Sequence, residues 1–164
     1  MARTGRPADR QVESVQKAIA VLDLLAAAGE EYGFRGLMFR VVGSWARNTH
    51  VGLICGIVTT TVVFSLMHGT LDPYLLTSYL VLFGTMAVLT WRTGGLEMAV
   101  VLHSVYNLNI LLATTLHIDL GAELNNRSQA VGSPANLIPG GVLLLITAGV
   151  WWMTRASGPP RTAP

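Results

Sequence analysis

Charge and cysteine are both scarce in this chain. Only 12% of its 164 residues are charged, and Cys55 is the single cysteine. A soluble domain carries roughly 25% charged residues, so the ordinary means of keeping a surface in water is missing. One cysteine excludes a disulfide framework within the chain, and its place in the apolar run Val51–Met67 marks it as a packing residue rather than a thiol nucleophile. Val51–Met67 and Tyr74–Trp91 contain no Asp, Glu, Lys or Arg at all. Clustered positive charge is also lacking. The 11 Lys and Arg stand against 9 Asp and Glu, and Arg3, Arg6, Arg10, Arg35, Arg40, Arg47, Arg155 and Arg161 are scattered, which excludes the basic face that nucleic-acid binding requires. The first apolar stretch is interrupted by Glu13, Lys17 and Asp23 and leads to no A-x-A site, so it does not read as a signal peptide.

What the chain has is apolar residues, 51% of the total. A bilayer core of about 30 Å asks for about 20 mostly apolar residues per helix, and four stretches qualify. They are Val51–Met67, Tyr74–Trp91 behind the break Asp72-Pro73, Gly95–Leu116 with Glu97, His103 and Asn107 inside it, and Leu137–Met153. A fifth, Gln11–Val42, begins amphipathic, with Val12, Val15, Ile19, Leu22 and Leu25 at helical spacing, and becomes apolar apart from Glu30, Glu31 and Arg35. It predicts one long helix or a broken pair that enters the membrane at least in part. The fold class expected is therefore all-α, a polytopic transmembrane bundle of four to five helices held in the lipid bilayer. Residues 1–10, with Gly5 and Pro7, and 155–164, with three prolines, are expected to fray, and Ile118 to Pro134 to form a polar loop. Trp45, Trp91, Trp151 and Trp152 read as interfacial anchors, as do His50 and His117 at helix ends. With alternating segments, Arg3, Arg6, Arg10, Lys17 and Arg127 face one side and Arg40, Arg47, Arg92, Arg155 and Arg161 the other, so positive charge selects no orientation.

Ionisable groups within apolar helices cost about 2.5 to 3.5 kcal/mol each on insertion scales and are functional candidates for that reason. Three clusters occur. In Glu30-Glu31-Tyr32-Gly33-Phe34-Arg35, Glu31 and Arg35 stand at i, i+4 and can pair, which leaves Glu30, about 100° around the helix, available for other work. His68 closes the uncharged run that contains Phe64-Ser65-Leu66-Met67. In His103-Ser104-Val105-Tyr106-Asn107, imidazole and carboxamide share a helix face. A carboxylate, two imidazoles and a carboxamide suffice for hydrolysis. Glu30 would serve as general base with His68 positioning water, and His103 and Asn107 would stabilise an oxyanion. The set Glu30, His68 and His103 would equally suit a divalent metal such as zinc with an open position for water, so the cofactor is either none or such an ion.

At these residues the chain resembles a known family. E-E-Y-G-F-R-G at 30–36, F-S-L-M-H at 64–68 and H-S-V-Y-N at 103–107 are similar, in order and spacing, to the three motifs of the CPBP family, the CAAX-protease and bacteriocin-processing (Abi) intramembrane proteases. The resemblance covers about residues 28–116. It implies an intramembrane endopeptidase acting on a membrane-associated protein or peptide in a bacterial cell membrane. By that resemblance Glu30 is the base, Glu31 and Arg35 the supporting pair, His68 the partner in holding water, and His103 with Asn107 the oxyanion site. Either a metal-bound or a glutamate-activated water is compatible with it.

The implied organisation is a polar head and amphipathic helix over 1–28, a protease domain over 29–154 and a disordered tail over 155–164. Only about 29 residues precede the E-E motif, fewer than the family usually carries there. The stretch 10–29 briefly resembles the opening helix of IclR-type transcription regulators, which implies a regulator-like head fused to the catalytic half of a protease. The competing expectation is a non-catalytic membrane protein, either an immunity or scaffolding factor or an inactive remnant, in which the clusters would be dispersed. Convergence of Glu30, His68, His103 and Asn107 separates the two.

Overall fold

The structure, a computed structural model, describes residues 7–117 and 131–160. Helix α1 (Pro7–Glu31) passes without interruption into a π-helical segment (Tyr32–Met38) and then α2 (Phe39–Ser44). The stretch Gln11–Val42 is thus one continuous helical rod rather than a separated pair. Four more helices follow, α3 (Thr49–Met67), α4 (Pro73–Thr93), α5 (Glu97–His117) and α6 (Ile138–Thr154), the last entered through a 3-10 turn at Pro134–Leu137. All regular structure among the described residues is helical, and the molecule is an integral membrane helical bundle. Among those residues three helices are long and apolar enough to cross a bilayer, Thr49–Met67, Pro73–Thr93 and Pro134–Thr154. The rods that carry the carboxylates and His103, α1 and α5, are not among the three.

Among the described residues α1 is already helical at Pro7, four residues before the expected Gln11. Pro7, expected to break a helix, is part of this one. Most of the polar stretch after Ile118 and the last four residues of the tail lie outside the described residues. The remaining boundaries have local causes. Asn48 caps α3 by accepting from the backbone N–H of His50 at 2.9 Å and Val51 at 3.2 Å. Asp72 caps α4 by accepting from Tyr74 at 2.9 Å and Leu75 at 3.1 Å, with Pro73 at the first helical position. Gly94, at φ 75°, ends α4 in the left-handed conformation that glycine adopts without strain.

The core is assembled around α4. Leu82, Phe83 and Met86 are buried against Phe64 of α3, Ala99 of α5 and Leu143 of α6. Arg92, near the end of α4, donates from Nε to Thr154 Oγ1 at 2.7 Å and from Nη2 to the Thr154 carbonyl at 2.6 Å, which pins that end to the end of α6. Glycine permits the close approach of α2 and α3. A Cβ built on Gly52 would fall on the carbonyl oxygen of Gly43, and one on Gly56 would lie 3.0 Å from the Phe39 carbonyl. Small residues that let backbones meet are a usual source of helix affinity in membranes, where apolar surface itself supplies no drive. Side chains such as Ile54, Val58, Leu144 and Leu145 are correspondingly exposed on the outside. Cys55 also faces outward and is not a core residue.

Two outcomes are expected from this packing. Gly52→Ala forces backbone apart and lowers stability by roughly 1 to 3 kcal/mol, as overpacking does, seen as a depressed melting temperature in detergent; an unchanged value would mean that α2 is not seated on α3. Asp72→Ala lowers the melting temperature, whereas Asp72→Asn, which keeps the cap, retains most of it. The N–H of Leu75, ahead of the opposing effect of burial, holds the Asp72 carboxyl below its usual range. Its contribution is therefore complete above the unfolded pKa and fades as pH falls through the lower folded one. Melting temperatures of the wild type and Asp72→Asn should converge only in acid.

Candidate active site

The inward line of the first rod runs through Ala27, Glu31 and Arg35, all buried to within 1%. Spacing of four puts them on one face, and the π-helical segment starts directly after Glu31. A buried guanidinium and carboxylate are tolerable only when paired and hydrogen-bonded. Arg35 Nη1 donates to Glu31 Oε1 at 3.1 Å, and Nη2 donates to the backbone carbonyl of Phe83 on α4 at 3.1 Å. The guanidinium carbon lies 4.8 Å from the centroid of the Phe64 ring and 5.2 Å from that of Phe83, so α1, α3 and α4 converge on one cation.

Glu31 Oε1 also lies 2.8 Å from His103 Nδ1. An ionised carboxylate only accepts, so Nδ1 carries the hydrogen and Nε2 faces the other way. There it meets Glu30, whose Oε2 is 3.6 Å distant. Glu30 is 46% exposed, while Glu31 is fully buried. The two adjacent carboxylates thus hold opposite positions on one imidazole. The outcome is a continuous line from Arg35 through Glu31 and His103 to Glu30, with only its last member reaching the exterior.

His68 donates from Nδ1 to the Phe64 carbonyl at 2.8 Å, because a carbonyl can only accept; in the neutral ring this leaves the lone pair on Nε2. The His68 ring is 5.4 Å from Phe64, 5.0 Å from Phe83 and 4.4 Å from Tyr79. The His103 ring is 5.9 Å from Phe64 and 5.8 Å from Phe83. The two phenyl rings, stacked at 4.1 Å, therefore underlie both imidazoles. Asn107 is half-buried one turn beyond His103, and among the described residues no hydrogen bond joins it to the cluster. Four of the six expected residues meet directly, His68 joins through the aromatic stack, and Asn107 shares only the helix.

Among the described residues no three His, Cys, Asp or Glu side chains form a set that could hold an ion. Each imidazole has Nδ1 engaged, by the Phe64 carbonyl or by Glu31, and presents Nε2 on its other side. A groove of about 450 Å³ opens on the seam of α1 and α5, lined by Ala28, Tyr32, Leu96, Glu97, Val100 and Val101. None of Glu30, His68, His103 or Asn107 lines it. Sequence reasoning passed over Phe83 and Tyr79, which lie in an uncharged helix like any lipid-facing aromatics. Their spacing of four was the available signal, since it places both on one face.

A family model described as Type II CAAX prenyl endopeptidase Rce1-like matches residues 16–109, a stretch that includes all six candidate residues. No curated protein and no solved structure matches the chain. Residues 10–29 lie wholly within the single helix α1, and among the described residues of the regulator-like head there is no second helix of a helix-turn-helix.

Removing one partner of a buried ion pair leaves the other charge uncompensated, at a cost of roughly 3 to 5 kcal/mol. Arg35→Ala is expected to unfold the bundle at a much lower temperature. The double variant Glu31→Gln, Arg35→Met should recover part of the loss. Thermal melts of all three proteins decide the point, and an Arg35→Ala melt equal to wild type would show that the pair is not buried.

Proposed function

We propose that this chain, which belongs to the Type II CAAX prenyl endopeptidase Rce1-like family, is an intramembrane endopeptidase that hydrolyses a peptide bond of a membrane-associated protein or peptide through a water activated by Glu30. The observation that carries the reading is the buried line Arg35–Glu31–His103–Glu30, because it delivers one reactive carboxylate to an accessible position and supports it from behind. Apolar surroundings strengthen each electrostatic interaction in it.

Glu30 takes a proton from water, and the hydroxide formed attacks the carbonyl carbon of the scissile peptide. The proton can move to His103 Nε2, the nitrogen nearest to Glu30. The imidazolium so formed is balanced by Glu31, which is in turn held by Arg35, and its Nε2–H faces the developing oxyanion together with Asn107. When the C–N bond breaks, the proton passes to the leaving amine, and the other product is the carboxylate. His68 helps to place the water. The donor arrangement favours this route over a metal-bound water, since Glu30, His68 and His103 do not form a ligand set. The substrate class suggested by the family description is a CAAX-type carboxyl terminus, with a bacteriocin-type leader peptide as the other substrate to try.

Cleavage of a lipidated CAAX peptide and of a leader peptide in lipid vesicles tests the reading. Glu30→Gln should lower kcat by at least about 100-fold, the lower range of general acid–base catalysis, and His103→Ala by about 100- to 1000-fold, as loss of an oxyanion donor does. A chelator should leave the wild-type rate unchanged. Undiminished turnover in Glu30→Gln would overturn the mechanism, loss under chelator would select a metal-bound water, and a folded wild type inert to both peptides would favour the non-catalytic alternative.

A further inference from the structure

Helix α4 contributes no carboxylate or imidazole to the cluster, yet one of its residues touches three members of it. Phe83 is fully buried. Its carbonyl accepts the second hydrogen bond of Arg35, at 3.1 Å, and its ring lies 5.2 Å from the guanidinium carbon. The same ring is 5.0 Å from the His68 ring and 5.8 Å from that of His103. It is stacked on Phe64 at 4.1 Å and lies parallel to Tyr79 at 6.0 Å. No other side chain of α4 has this combination of contacts.

We infer that Phe83 is a positioning residue for the reaction, a rigid platform that sets the planes of His68 and His103 and the direction of Arg35 while touching no reacting atom. Two imidazoles from different helices share this one aromatic surface. Each is held at Nδ1, by the Phe64 carbonyl or by Glu31, and the tilt of the ring about that bond depends on what packs its face and edge. An aromatic wall supplies that packing, because its quadrupole favours edge-on and offset partners and an overlying cation. An aliphatic side chain of similar size would fill the space without setting a direction. The catalytic part of the inference rests on the endopeptidase reading; the orientation of the imidazoles does not.

The test uses full-length protein in lipid nanodiscs with 15N-labelled histidine, as wild type, Phe83→Leu, the volume-conserving Phe83→Met, and Leu89→Ala as a control. Leu89 is a fully buried α4 residue outside the cluster. The four histidines, His50, His68, His103 and His117, are assigned by single substitutions. Wild type should show His68 and His103 each with hydrogen fixed on Nδ1. Both Phe83 variants should move these two signals toward the average of the tautomers and leave His50 unmoved. Peptide turnover in them should fall by about 100-fold, the cost of a misplacement of about 1 Å, with KM within about twofold of wild type.

Leu89→Ala should lower the melting temperature but leave both imidazole signals and the turnover of the folded protein unchanged. Signals of His68 and His103 that stay as in wild type in a folded Phe83 variant would overturn the inference, as would equal movement in Leu89→Ala. If the imidazole signals move while the wild type cleaves nothing, the endopeptidase reading fails and the positioning role stands. If the wild type cleaves and Phe83→Met cleaves equally well, the positioning role fails alone.

Discussion

An ion pair withdrawn from both water and lipid, Glu31 with Arg35, is the constraint on which the rest of this structure depends. Each ion alone would cost several kcal/mol to bury, and within the bundle each finds more than its partner. Arg35 adds the Phe83 carbonyl and two aromatic rings, and Glu31 adds His103. Pairing one cation with one anion thus brings α1, α3, α4 and α5 together at one point, with Glu31 Oε2 and Arg35 Nε buried there without a hydrogen bond. The pair contributes less as a source of net stability than as a device that admits a single arrangement, because any other packing would strand a charge.

The same constraint explains how two adjacent glutamates acquire different environments. A helix turns about 100° per residue, so when Glu31 points at Arg35 its neighbour cannot. Glu30 is left half exposed while its companion is sealed, and His103 stands between them with one nitrogen toward each. Division of labour between neighbouring carboxylates here follows from helix geometry together with burial. The aromatic stack of Phe64 and Phe83 does for the rings what the ion pair does for the charges, giving side chains from separate helices a common surface.

Elsewhere the bundle relies on features suited to lipid. Gly52 and Gly56 bring α3 onto α2, Arg92 ties the ends of α4 and α6, and exposed valine, isoleucine and leucine face outward. No compensation by a large dry core is needed when the surroundings are apolar. Polar links at helix ends and close backbone contact are what remain to hold the rods in register.

Much of this was legible in the residues alone. Uncharged runs of helical length identify spanning helices, since no other open structure satisfies its backbone in lipid. The pairing of Glu31 with Arg35 follows from a spacing of four, and the exclusion of Glu30 from that pair from the helical repeat. Local chemistry also marks the caps at Asn48 and Asp72, although Pro7, expected to break a helix, is part of one. What sequence could not settle were distances between elements. That His103 joins Glu31 and Glu30, and that Phe83 underlies both imidazoles, were decided only by how four helices pack. The physical reason is range. Hydrogen bonding and helical periodicity act over a few neighbouring residues and are written locally, whereas the meeting of side chains 48 or 72 positions apart depends on the packing of every helix between them.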